Sequence, residues 1–216
     1  MVVYGLLTFL IVPVIAPIFG RERIRHSDKI TPTNYLTVVL NRNYVVPELN
    51  DLLEKTAEGF AGSGLQINYL DANFPFLDNF PLLPHLSHDD GKKIDLSFVY
   101  ETAQGEITKS QKSISGYGVF EAPGPGESNQ TGVCLDRGYS QYDLTRYLSF
   151  GSKNRELEFS EVGTRELITR LLENPDLGKI FIEPHLKNRM GLKSKRIRFH
   201  GCQAVRHDDH IHIQLK

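Results

Sequence analysis

Two regimes of apolar patterning divide this chain. From Val2 to Phe19 no side chain is charged and nearly every one is apolar, the pattern of a membrane-spanning helix or of the apolar stretch of a signal segment. At about 18 residues the stretch is at the short end of what crosses a bilayer, and Pro13 and Pro17 predict kinks there. No lysine or arginine precedes it, whereas Arg21, Arg23 and Arg25 follow at once. By charge bias alone, those arginines would keep the following domain in the cytoplasm. The rule often fails for single segments, and the expectation is export: a periplasmic or extracellular domain, anchored to the inner membrane if the segment is retained. Residues 1–20 are thus a transmembrane anchor or signal segment, 21–33 a polar connector, and 34–216 one domain.

Past the connector the apolar positions alternate between strand and helix periods. Tyr35 to Leu40 reads as a short strand. Pro47 to Ala61 reads as an amphipathic helix, with Val46, Leu49, Leu52, Leu53, Ala57 and Phe60 near helical spacing and Gly62 to Gly64 ending it. Leu65 to Leu70 alternates as a strand does, and Asp71 to Pro84 is a loop holding Phe74, Phe76 and Phe80, which read as packing for that loop. Ile94 to Tyr100 is a strand, and Thr102 to Arg137, rich in Gly, Ser, Pro and Gln, predicts long loops. Glu161 to Leu172 follows as a helix, then short strands at Lys179 to Ile182, Arg196 to Phe199 and Asp209 to Leu215. Helices and strands without regular alternation predict an α+β fold, a small antiparallel sheet flanked by helices and long loops.

Composition narrows the function. A chain of 216 residues with 40% hydrophobic content supports one domain with a real core. Lysine plus arginine (25) nearly balances aspartate plus glutamate (26), so no basic field exists to attract nucleic acid. Cys134 and Cys202 are too few for a cysteine-ligated zinc site but permit one disulfide in an exported domain; their pairing stays open.

Five of the eight histidines fall in two clusters, His85 with His88, and His207 with His210 and His212. In the terminal strand His210 and His212 share one face, while Ile211, Ile213 and Leu215 take the other. Asp95 likewise points away from Ile94, Leu96 and Phe98, and a turn at Gly91 allows His88 to return to it. Two imidazoles and a carboxylate are a usual catalytic zinc shell, with the fourth position left for water.

The run from His85 to Asp95 reads HxSHxxGxxxD, and Arg206 to Leu215 reads RHDDHIHIQL. Together these resemble the penicillin-insensitive murein endopeptidases, within the group of lysostaphin, D-alanyl-D-alanine and hedgehog-type metallopeptidases. Lys179 to Lys187, KIFIEPHLK, is similar to that family's strand, proline and short helix before the last strands. The resemblance covers Leu83 onward and departs from the family at Lys93. It implies that His88, Asp95 and His212 bind Zn2+, that His210 is the catalytic base, and that His85 and His207 support the site. It also implies a zinc-dependent peptidase acting on peptidoglycan peptides, at a cross-link or stem-peptide bond involving D-amino acids. The alternatives are a non-catalytic zinc-binding module of hedgehog type and a D-alanyl-D-alanine carboxypeptidase or dipeptidase. His26, His185 and His200 read as solvated or structural, Asp89 and Asp90 as a solvated turn or partners orienting a ligand histidine. Tyr117, Tyr139 and Arg137 are candidates for substrate contact without a distinguishing pattern.

Overall fold

The computed structural model describes residues 2–83 and 85–216. Met1, which opens the 1–20 segment, and Pro84, which closes the 71–84 loop, lie outside the described residues. The frame is a six-stranded sheet of β1 (Ile30–Pro32), β2 (Ile67–Asp71), β3 (Lys93–Ser97), β4 (Leu177–Phe181), β5 (Ile197–Arg198) and β6 (His210–Leu215). Its spatial order is β5-β4-β6-β3-β2-β1. The helices are α1 (Leu36–Val39), α2 (Pro47–Glu58), α3 (Gln130–Asp136), α4 (Glu161–Glu173) and α5 (Pro184–Arg189). Helices mixed with sheets make the class α+β.

The middle of the sheet is antiparallel, with β6 between β3 and β4. Both edges differ from the expected all-antiparallel sheet, because β1 runs parallel to β2 and β5 parallel to β4. Each parallel pair is joined through helix, α1 and α2 in the first case and α5 in the second, and such crossovers return the chain in its original direction.

Helix α2 begins at Pro47, whose missing N–H costs nothing at a first helical position. It buries Leu49, Leu52, Leu53 and Ala57, and Phe60 follows into the core from the turn beyond Gly59, which shortens the helix relative to its sequence reading. Helix α4 is capped by Ser160, whose Oγ accepts from Gly163 N at 3.2 Å, and buries Leu167, Ile168 and Leu171. Both helices share one apolar cluster with Ile94, Leu96, Ile180, Ile211 and Ile213 from the sheet. Burying a leucine or isoleucine of this kind contributes roughly 1.5–3 kcal/mol. The face of β3 and β6 carrying the odd Ile residues of β6 therefore belongs to the core, and Asp95, His210 and His212 point from the other.

Four further readings are corrected. Tyr35 to Leu40 is not a strand: Asn34 Oδ1 accepts from Leu36 N at 3.0 Å and starts the short α1, and Thr37 Oγ1 donates to Leu70 O at 2.7 Å. The β1–β2 pairing already occupies the sheet edge that a strand there would need. The 94–100 strand ends at Ser97, because Val99 turns to α4, its N–H donating to Thr164 Oγ1 at 3.1 Å; Tyr100–Glu101 then joins a separate small sheet. The 102–137 stretch is mostly loop but contains α3 and the Ile107–Thr108 strand, and a 3-10 helix at Ser140–Leu148 went unread. The 21–33 stretch is part of the domain, since Glu22–Arg23 pairs with Tyr44–Val45 and β1 lies in the main sheet.

The N-terminal segment is helical but changes its winding: α over Val2–Leu6, π over Leu7–Ile11, α over Val12–Ile15 and 3-10 over Ala16–Phe19. Pro13 and Pro17 lack the N–H that an unbroken ladder requires, so the expected kinks take this form. By length and composition it could cross a membrane or serve as a signal sequence. Cys134 and Cys202 form a disulfide across 68 residues of sequence, a closure worth about 4 kcal/mol on the chain-entropy account.

Candidate metal centre

Register brings the site together. His212 on β6 stands directly opposite Asp95 on β3, and Asp71 on β2 is opposite Asp95 from the other side. Asp71 reaches this row through a β-bulge. Tyr69 pairs with Leu96 on the core face, and simple alternation would put Asp71 there too; the register shift after Tyr69 turns it to the Asp95 face instead.

His88 comes to the same point from the loop before β3. Its Nδ1 lies 3.2 Å from the carbonyl oxygen of Ala72, which only accepts, so Nδ1 carries the proton and Nε2 the lone pair. That Nε2 is 3.2 Å from His212 Nδ1 and 3.2 Å from Asp95 Oδ1, while His212 Nδ1 is 2.8 Å from Asp95 Oδ1. Ligand atoms about 2.0–2.1 Å from a tetrahedral zinc stand about 3.3–3.4 Å apart, so the two 3.2 Å separations need about 0.1–0.2 Å of expansion and the 2.8 Å one about 0.5–0.6 Å. The donor set and the carbonyl behind His88 both fit a cation of the zinc type.

Electrostatics point the same way. Burial by itself would raise the Asp95 carboxyl, but His88, His210, His85 and His212 outweigh it and hold the group well below the usual carboxylate range. Burial lowers His212 to about 4, keeping it neutral and able to ligate. His207 is pushed well below its ordinary value, first by burial and then by the neighbouring imidazoles.

A second group of possible ligands, Asp71, His85 and His88, overlaps the first. Here the Asp71 carboxylate is already engaged: Arg42 Nε donates to Oδ1 at 2.7 Å and Arg42 Nη2 to Oδ2. Burial opposes the ionised Asp71, and Arg42 and His85 restore it to below the usual range. His85 lies between the two carboxylates, Nδ1 2.8 Å from Asp95 Oδ2 and 3.3 Å from Asp71 Oδ2. Burial disfavours its charge, yet Asp95 and Asp71 raise it to about 10. The structure thus places His85, named from the sequence as a supporting residue, beside the candidate ligand Asp95. Asp71 and Arg42 were not singled out, because the bulge that matters cannot be read from a local pattern.

His210 opens β6 with Nδ1 2.5 Å from Asp209 Oδ1 and Nε2 3.8 Å from Asp95 Oδ2. Asp209 is itself anchored by the Gly118 N–H at 2.7 Å. Burial lowers the His210 pKa, but Asp95 and Asp209 reverse that and raise it. Tyr117, read from the sequence as a candidate for substrate contact, is buried, and its hydroxyl donates to Asp95 Oδ2 at 2.8 Å. His207 sits with its ring 4.8 Å from that of His210, and Glu183 secures its backbone, accepting from His207 N at 3.1 Å. His200 belongs at the rim, its ring 4.2 Å from Phe181 and stacked on His212 at 6.2 Å. His185 is a structural residue, Nε2 donating to Glu121 O at 2.8 Å. Lys93, the departure from the family pattern, bonds Asp89 at 3.0 Å and Asp90 at 2.9 Å, so those carboxylates brace the turn behind His88.

In front of this cluster is a cavity of about 660 Å³, lined by His85, Asp95, His200, His207, His210 and His212 with Leu83, Leu86 and Leu144. The disulfide holds Cys202 next to the Gln203 to Val205 stretch of its wall. Tyr139 and Arg137 do not line it. No protein-family model and no curated protein matches the chain.

Proposed function

We propose that this chain is a zinc-dependent peptidase of bacterial cell-wall peptides, with His88, Asp95 and His212 as metal ligands and His210 as the base. The observation that carries the reading is the meeting of His88 Nε2, His212 Nδ1 and Asp95 Oδ1 within 3.2 Å beside the Asp209–His210 pair. Zinc held by such a trio lowers the pKa of its water to about 7 and polarises a carbonyl oxygen.

The residues of the chain supply the rest. Asp209 fixes the His210 tautomer by accepting from Nδ1–H, leaving Nε2 free to take a proton at the cavity and deliver it to a leaving amine. The Tyr117 hydroxyl and the His85 Nδ1 both bond Asp95 Oδ2 and leave Oδ1 for the metal. Burial and the nearby Asp95 and Asp71 keep the Tyr117 phenol protonated, as a donor must be. The cavity has the volume of a typical small-ligand site and suits a short peptide.

The substrate rests on the resemblance of HxSHxxGxxxD, RHDDHIHIQL and KIFIEPHLK to the murein endopeptidases. The disulfide favours an oxidising compartment, consistent with a periplasmic or extracellular site of action. A binding module without catalysis has no use for a base held beside an open coordination position, which favours the enzyme. The test is to incubate the full chain with purified cross-linked and uncross-linked muropeptides, with and without a chelator. Cleavage that the chelator abolishes and zinc restores is expected. Absence of any chelator-sensitive product would overturn the proposal, and release of terminal D-alanine alone would reassign the chain as a carboxypeptidase.

A further inference from the structure

The N-terminal helix does not project from the domain. Along Val2–Phe19 the buried residues are Thr8 and Ala16, with Gly5, Val12 and Pro13 half-buried. Gly5, Thr8, Val12 and Ala16 recur at close to 3.6 residues and form one narrow stripe. The contacts on that stripe run the whole length. Tyr4 Oη donates to Val39 O at 2.7 Å, Asn41 Nδ2 to Thr8 Oγ1 at 3.2 Å, and Arg23 Nη2 to Thr8 O at 2.5 Å. At the far end Arg21 N donates to Ala16 O at 3.1 Å, and the Phe19 ring meets that of Phe76 at 5.3 Å.

Of the three arginines after the segment, Arg21 and Arg23 bond the helix as well as the domain, and Arg25 bonds the domain alone. Arg21 pairs with Asp78, Arg23 bonds Thr8 O and Tyr44, and Arg25 pairs with Glu22, Asp51 and Glu54. They are committed to the domain, so the charge-bias argument about topology loses its premise.

Every other side of the helix is apolar and open: Val2 is 77% exposed, Val14 74% and Ile18 80%. The patch continues onto α1, where Tyr4 is bonded, through Tyr35 and Leu36, 70% and 51% exposed. An apolar surface of this extent marks an interface. The two polar side chains of the segment, Tyr4 and Thr8, both bond the domain, leaving no hydrogen-bonding group for the polar rim that a protein partner would want. Lipid asks for nothing else.

A helix docked in this way cannot also cross the membrane. Eighteen residues measure about 27 Å, nearly a whole hydrocarbon core, and a spanning helix would take Asn41, Arg23 and the adjoining domain surface with it. Polar groups of that kind are strongly disfavoured there.

We infer that the N-terminal helix and α1 form a single membrane-seated face, with the helix lying in the plane of the bilayer surface and the domain attached along its length. A side pocket of about 260 Å³ opens at this face, between Leu36 of α1, Leu40 just past its end, Leu83 and Phe150, and shares Leu83 and His85 with the metal cavity. The candidate site is therefore held at the lipid boundary, where membrane-proximal peptides are within reach.

The chain has no tryptophan, so one introduced indole reports alone. Leu10→Trp, Ile18→Trp, Tyr35→Trp and Lys195→Trp, the last beside the opposite sheet edge, are made in the full chain and bound to phosphatidylcholine vesicles brominated either near the headgroup or deep in the acyl chains. Positions 10, 18 and 35 should all be quenched several-fold more by the shallow bromines, and position 195 by neither. Deep quenching at position 10 with none at position 35 would mean a spanning helix and a detached domain, and would overturn the inference. So would a chain recovered from its native membrane without residues 1–20. The readout involves neither metal nor turnover, so it stands or fails independently of the peptidase reading.

Discussion

Replacing Arg42 by Met removes the fork that holds Asp71. Arg42 Nε lies 2.7 Å from Asp71 Oδ1, a second nitrogen bonds Oδ2, and the side chains are only 17% and 6% exposed. Asp71 also faces Asp95 across the β2–β3 pair, so without Arg42 two carboxylates share a buried row with His85 as their common cation. Each charge-assisted hydrogen bond is worth about 1.5–3 kcal/mol, and breaking a buried pair from one side typically costs about 3–5 kcal/mol. The partial exposure of Arg42 favours the lower end, about 3 kcal/mol. Asp71→Asn alone leaves the guanidinium without its anion and should cost about 2 kcal/mol. The double variant removes both charges together, so its loss should fall short of the sum by at least about 1–2 kcal/mol. Urea unfolding of the full chain in detergent, followed by circular dichroism, measures all three. Strict additivity would refute the account, because it would mean that the two groups do not depend on one another.

Three further outcomes follow from the same geometry. His210→Ala should lower turnover about 10²–10⁴-fold while retaining bound zinc, whereas His88→Ala and His212→Ala should lose both, read by metal analysis beside peptide hydrolysis. Tyr117→Phe deletes the 2.8 Å bond to Asp95 and should weaken zinc binding about 10-fold or more in competition with a chelator, with little change in fold. Burial raises Glu183 from 4.5 to about 7, so the folded chain binds a proton that the unfolded chain has released. Stability should therefore fall as pH rises from 4.5 to about 7, by at most about 3 kcal/mol, and Glu183→Gln should flatten that part of the stability profile.

Much of this protein could be read from local pattern. The helical spacing of Leu49, Leu52, Leu53 and Ala57 fixed α2, and the alternation of Ile211, His212 and Ile213 separated core from site, because period and face depend on neighbours in sequence alone. The uncharged run to Phe19 marked a lipid-compatible helix by the same logic. What pairing decides was not legible. Tyr35 to Leu40 has the residues of a strand, yet β1 had taken the edge. Asp71 reads as core-facing until a bulge opposite Asp95 turns it. Tyr117 and Arg42 come from segments remote in sequence, brought to Asp95 and Asp71 by contacts that no short window contains, as Gly118 is brought to Asp209. Composition likewise made the N-terminal helix apolar, but only the packing of the Gly5, Thr8, Val12 and Ala16 stripe against the domain determined how it lies. Side-chain chemistry and face are local properties of a chain; register, neighbours and the direction of a docked helix are settled only when distant segments compete for the same surface.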